Sequence, residues 1–257
     1  MEKHGNTYDQ IFRRRSFHLF KGGSDRLSEA ELSALDAFLK TLRPLHPEIK
    51  TLVRVVPARE TTCMRGAEYC ILFYSEKKGD YLRNAGYMGE QADLYLNSVG
   101  IGALWYGMGK PRAKTAEGLD YVIMIAIAKV PADSFRRDLS QTKRKDVPAI
   151  WSGDGLGVSD IVRYAPSACN LQPWFVENDG SGLKVFRIWP AKRGIMPAGK
   201  VNFFNRMDIG IFLLILETCL EHEGLKYGRQ LFEDTSDERL ERVQVAYYRL
   251  DKSPAQL

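Results

Sequence analysis

The run Tyr121-Val122-Ile123-Met124-Ile125-Ala126-Ile127-Ala128 is apolar on both of the faces a strand presents. Successive strand residues point to opposite sides of a sheet. A strand with no polar face must therefore be covered above and below, which predicts a central strand with helices on both sides. Met207 to His222 imposes a similar constraint. It is nearly all apolar, with an uninterrupted run from Ile211 to Leu216, and predicts a buried central helix ended by Gly224. That run is far shorter than the roughly 20 residues that span a bilayer.

The rest of the pattern fits an α+β chain. In Leu27-Ser28-Glu29-Ala30-Glu31-Leu32, Ser28 is placed to cap a helix and Glu31 to close a capping box, with Leu27 and Leu32 placed for a hydrophobic staple. Leu32, Leu35, Leu39 and Leu42 mark its apolar face, and the helix ends before Pro44. Thr51 to Val56 and Cys70 to Tyr74 predict strands, and Tyr81 to Val99 predicts a helix ended by Gly100. The segment from Phe135 to Gly157 carries Arg136, Arg137, Lys143, Arg144, Lys145, Pro148 and several glycines, and predicts an extended crossover between two halves. Beyond it come a short helix Ser159–Tyr164, a polar turn Ala165–Trp174, and strands at Phe175-Val176, Leu183–Trp189 and Val243–Leu250. Each half has strands and one long helix followed by glycine, as expected of a weak structural duplication with halves at 1–150 and 151–257.

Composition narrows the function classes. With 44% hydrophobic and 27% charged residues over 257 positions, the chain can bury a substantial core. A net charge of +5 falls short of a nucleic-acid footprint. Cys63, Cys70, Cys169 and Cys219 form no CxxC pair, which argues against a zinc site and a disulfide framework. The N-terminal stretch has no apolar segment of signal-peptide type, so a cytoplasmic protein that engages neither membrane nor nucleic acid is expected.

Four segments carry chemistry. Arg13-Arg14-Arg15-Ser16 offers forked donors to a phosphate or a polar ring edge, although a short basic run is more often a solvated face. The turn Ala165–Trp174 sets Ser167, Asn170 and Gln172 beside backbone amides, an arrangement suited to the edge of a flat heteroaromatic ring or simply to an ordered loop. Gly107 and Gly109 let backbone approach a ligand closely. Gly100 to Pro111 lacks the GxGxxG order and runs from a helix into a strand, which excludes a Rossmann motif. Lys143-Arg144-Lys145 offers charge to a phosphate, or to solvent.

Taken together, the segments resemble the nitroreductase family of FMN enzymes. The family's Arg-Arg-Ser opening is similar to Arg14-Arg15-Ser16, with Phe20 closing the pattern. Its Pro-Ser-x-x-Asn-x-Gln-Pro-Trp turn matches Pro166 to Trp174, and its helix ending in Gly-Leu-Gly is similar to Asn97–Gly102. Its late basic segment is similar to Lys143-Arg144-Lys145. In ordinary members the Pro-Ser turn follows soon after the Arg-Arg-Ser segment; here it comes only at Pro166. This order resembles a subgroup in which one chain is a fused pseudo-dimer.

The resemblance implies a nitroreductase-like three-layer fold: a central mixed β-sheet with helices on both sides and two pseudo-repeated halves. It implies one FMN per chain, bound between those halves. Arg14, Arg15, Ser16 and His18 would contact FMN from the first half, with Gly107 and Met108 over the flavin face. Lys143, Arg144 and Lys145 would hold the phosphate. Pro166, Ser167, Ala168 and Asn170 would line the ring from the second half, with Gln172 supporting the turn. NADH or NADPH would deliver hydride in a ping-pong cycle to a small-molecule acceptor, a nitroaromatic or a quinone, with no catalytic acid or base from the protein. The alternatives are an FMN-binding sensor or carrier without turnover, and an FMN-consuming or dehalogenating relative. Assembly as a monomeric pseudo-dimer or a homodimer is left open.

Overall fold

The computed structural model describes residues 7–21, 25–140, 142–235 and 239–251. The chain divides into two compact units, residues 1–141 and 142–257. The boundary expected at 150/151 thus falls nine positions earlier, which puts Lys143, Arg144 and Lys145 in the second unit.

The first unit contains α1 (Thr7–Arg13), α2 (Glu29–Leu39), β1 (Thr51–Pro57), β2 (Tyr69–Ser75), α3 (Tyr81–Ser98), β3 (Ile101–Trp105), β4 (Thr115–Ala116) and β5 (Leu119–Lys129). Its antiparallel sheet has the order β1-β2-β5-β3, with β4 paired to β5. β5 sits between β2 and β3, as its doubly apolar sequence requires. One expectation fails here. The face carrying Met124, Ala126 and Ala128 is covered by Phe17, Phe20, Ala58 and Phe135, which come from connecting segments and not from a long helix. Aromatic side chains on loops supply the apolar area that a helix would otherwise bring.

The cap of α2 forms as the sequence predicts: Ser28 accepts from Glu31 N–H, and Glu31 accepts from Ser28 N–H. α3 packs against α1 and against β2, β3 and β5. Asn97 of α3 donates to the Gln10 side chain of α1 at 2.7 Å. Just beyond α3 and its cap Val99 lies Gly100, whose φ of +73° only glycine adopts without strain.

The second unit contains β6 (Trp151–Ser152), α4 (Ser159–Val162), β7 (Trp174–Asn178), β8 (Gly182–Ile188), α5 (Val201–His222), β9 (Tyr227–Leu231) and β10 (Arg242–Leu250). Its sheet has the order β6-β7-β8-β10-β9, and only β6 and β7 pair in parallel. The single central mixed sheet expected from sequence is therefore replaced, among the described residues, by two five-stranded sheets, one antiparallel and one mixed. α5 packs against α4 and β8, and its Phe212 stacks on Trp174 with ring centroids 4.8 Å apart. It begins six residues before the predicted Met207 because Val201 and Met207 both turn inward, extending the apolar stripe through a polar stretch. Among the described residues, no helix is long and apolar enough to cross a membrane.

Candidate functional site

In the first unit the segment after α1 runs beside β3, with Ser16 bridging Ala103 and Phe17 N–H donating to Ala103 at 3.0 Å. Burial separates the two arginines of this segment. Arg14 turns inward and is only 4% exposed. Its Nε donates to Asp93 Oδ2 at 2.7 Å, Glu90 lies 3.7 Å away, and a second nitrogen donates to Ser16 Oγ at 3.2 Å. Arg14 is thus committed to α3. Arg15 points outward, and its guanidinium donates to the Ser134 carbonyl at 3.0 Å.

That bond brings in a residue the motif comparison missed. Arg136 N–H donates to the Arg13 carbonyl at 3.0 Å, which pins the 134–136 segment beside the arginine run. The Arg136 side chain is half-buried and has no carboxylate partner among the described residues. Burial, then repulsion from Arg14 and Arg15, pull its pKa below the usual arginine value. A half-buried cation beside other cations is poised for an anion. Its signal in the sequence is the pair Arg136-Arg137, which lies among the other basic residues of the crossover segment.

Beside Arg14, burial and the neighbouring Asp93 push Glu90 well above the usual carboxylate range, against the pull of the Arg14 guanidinium. Trp105 Nε1 donates to Asp93 at 3.1 Å and its indole lies against Gly89, where a Cβ would run into the ring.

Gly107 and Met108 occupy an exposed turn after β3, Met108 being 68% exposed. The turn closes by Gly109 N–H donating to Tyr106 at 3.1 Å, and Tyr121 OH donates to the Gly109 carbonyl at 3.0 Å. His18 is exposed and makes no hydrogen bond among the described residues.

In the second unit, the turn between α4 and β7 contains three non-glycine residues in the left-handed region: Cys169 at φ 51°, Asn170 at 54° and Gln172 at 48°. Such residues cost about 1–3 kcal/mol each and persist only when their surroundings impose them. The turn bonds to itself: Gln172 N–H donates to Ser167 Oγ at 3.0 Å, and Gln172 Nε2 donates to the Asn170 carbonyl at 3.1 Å. The basic tripeptide straps it from outside. Lys145 donates from its backbone to Gln172 Oε1 at 2.8 Å and from Nζ to the Gln172 carbonyl at 2.9 Å, while Asn170 donates to the Lys143 carbonyl at 3.1 Å. Arg144 donates to the Tyr164 carbonyl at 3.3 Å. Lys143 alone of the three has a side chain free of such bonds among the described residues. From below, Asp208 of α5 accepts the Ala168 N–H at 3.0 Å. Asp208 also escaped the sequence reading, although an acid inside an apolar helix was its signal.

The sequence model of the family described as "Putative TM nitroreductase" matches residues 6–219. The chain belongs to this nitroreductase family. A solved structure described as a putative nitroreductase from Thermotoga maritima msb8 is similar to this nitroreductase-family chain, with a TM-score of 0.60 at 18% identity over 97% of this chain and 95% of that one. That likeness shows the fold. A Parabacteroides distasonis ATCC 8503 structure described as a putative NADH dehydrogenase/NAD(P)H nitroreductase gives a TM-score of 0.40 at 11% identity, over 55% of this chain and 98% of that one. No curated protein matches the sequence. Family membership supports an oxidoreductase.

Proposed function

We propose that this chain binds FMN and works as an NADH- or NADPH-driven reductase of a small acceptor of nitroaromatic or quinone type. The observation that carries the reading is the half-buried Arg136 beside Arg14 and Arg15, a cation cluster without a carboxylate for Arg136 among the described residues, next to Ser16. Its chemistry fits a phosphate monoester: forked donors, a hydroxyl, and uncompensated positive charge.

When bound, FMN would supply the two-electron redox chemistry between the nicotinamide and the acceptor. The chain's own residues bind and orient. Arg15, Ser16 and Arg136 are assigned to the phosphate. Gly107 and Met108 are assigned to the ring face, where backbone without a bulky barrier permits close approach. Pro166, Ser167, Ala168 and Asn170 are assigned to the ring edge, with Gln172 and Lys145 holding their turn. Arg14 acts through Ser16, which it contacts. Arg144, engaged with Tyr164, holds the strap, while Lys143 and His18 stay available to the ligand's anionic groups. The fused pseudo-dimer reading draws support from both units: each has a five-stranded sheet and one long helix, followed by Gly100 at φ +73° or Gly224 at +69°.

The test is the visible spectrum of the purified protein, followed by anaerobic titration with NADH and NADPH. Flavin absorbance that bleaches with either nucleotide and returns with acceptor is the expected result. A protein that is colourless and takes up no FMN overturns the proposal. Bound FMN that neither nucleotide reduces assigns the chain to the flavin carriers instead.

A further inference from the structure

α5 is apolar through its middle, and Asp208 interrupts it. The residue is 3% exposed. Its Oδ1 takes the Ala168 N–H, and its Oδ2 has no partner among the described residues. Asn205, one helical turn earlier on the same face, is fully buried with both amide atoms unpartnered among the described residues. Buried polar atoms without partners oppose folding, and an aliphatic side chain would pack α5 at lower cost. An acid kept at such a position is best explained by the one bond it makes.

That bond ends on the most constrained backbone of the second unit. Cys169, Asn170 and Gln172 are all left-handed, so the turn springs back unless it is held. The bonds from Gln172 to Ser167 and Asn170 close the turn on itself, and those from Lys145 and Asn170 tie it to the 143–145 connecting segment. Among the described residues, the Asp208–Ala168 bond ties it to a long helix. We infer that Asp208 is a positioning residue, the anchor that fixes the flavin-edge turn to α5 through the Ala168 amide. This role rests on the FMN reading for its purpose but not for its mechanics. Burial pushes the Asp208 carboxyl up to about 8, so the side chain is mostly the neutral acid at neutral pH, and asparagine mimics its shape and its acceptor.

The experiment compares Asp208→Asn, Asp208→Ala and Asp208→Leu in the full chain, with thermal unfolding and far-UV circular dichroism as fold controls. Leucine removes the acceptor and fills the apolar space, so it keeps the question answerable where alanine unfolds the protein. Hydrogen exchange across residues 165–172 is read in flavin-free protein. Exchange about tenfold faster in the leucine variant, near wild type in the asparagine variant, is the expected pattern for one lost hydrogen bond. FMN affinity should fall in parallel in the leucine variant and recover with asparagine. A stable leucine variant whose turn stays protected overturns the inference, as does an asparagine variant as loose as leucine. A wild type that takes no FMN sinks the flavin reading alone, since the exchange measurement still decides what Asp208 does.

Discussion

Arg14 and Asp93, 79 positions apart, meet at 2.7 Å with both side chains almost wholly removed from water. The pair joins the end of α1 to the fourth turn of α3 and leaves Arg14 one remaining edge, which it turns to Ser16. A motif arginine that looks in sequence like a ligand for a cofactor is first a brace for the segment that carries Ser16.

Breaking that brace should cost stability before it costs binding. Asp93→Ala leaves the buried Arg14 guanidinium without the carboxylate that its Nε meets at 2.7 Å. The expected loss is about 3–5 kcal/mol, read from denaturant unfolding. Arg14→Ala should destabilise comparably, and its FMN affinity should fall because Ser16 loses its support. An Arg14→Ala protein of unchanged stability would show that the pair has been misjudged.

Asp208 makes stability depend on pH in an unusual direction. Its carboxyl titrates at about 8 in the folded chain, and near 3.9 when unfolded. Between those values the folded chain holds a proton that the unfolded chain has lost, so this group's contribution shrinks as pH rises through the window and is flat above it. Asp208→Asn abolishes the slope. The variant should gain on wild type as pH rises, by a few kcal/mol at about pH 8, and parallel urea melts across the window check it.

Lys145 and Arg136 should separate under salt. Lys145 is occupied with Gln172, so Lys145→Met should loosen the turn and weaken FMN while leaving the salt dependence of binding as in wild type. Isothermal titration at two ionic strengths distinguishes this from a lost phosphate contact.

Arg136→Ala should lower FMN affinity by roughly 1.5–3 kcal/mol, the range for a hydrogen bond to a charged group, and flatten the salt dependence. Riboflavin, which has no phosphate, should bind the variant and the wild type alike. Equal losses for both flavins would move Arg136 away from the phosphate.

The strands with strong apolar pattern were legible in the sequence. Tyr69–Ser75 and Leu119–Lys129 lie where β-branched and aromatic runs put them, and the Ser28–Glu31 box forms as its spacing requires. Four elements escaped: the two-residue strands β4 and β6, β9 and α1. β9 is an edge strand reading Tyr-Gly-Arg-Gln-Leu, and one sheet neighbour is too little to demand an apolar face. α1 is seven residues long and lacks a periodic stripe. The division of strands between two sheets was not legible either, because a strand's pattern records that it is covered and not what covers it. At the candidate site, the motif spacing singled out the arginine run and the Pro166–Trp174 turn. It could not tell that Arg14 points inward and Arg136 joins the arginine run, because both facts depend on how distant segments pair.

Each ladder of backbone hydrogen bonds closes within its own unit, and every strand of the first sheet is encoded before Val130. On a ribosome, the first sheet can therefore zip up while the second unit is still unmade, since no later residue is needed to pair its strands. The chain's order of manufacture and its order of strand pairing then coincide, and slow synthesis past the boundary at 141/142 would not leave that sheet waiting for a missing strand.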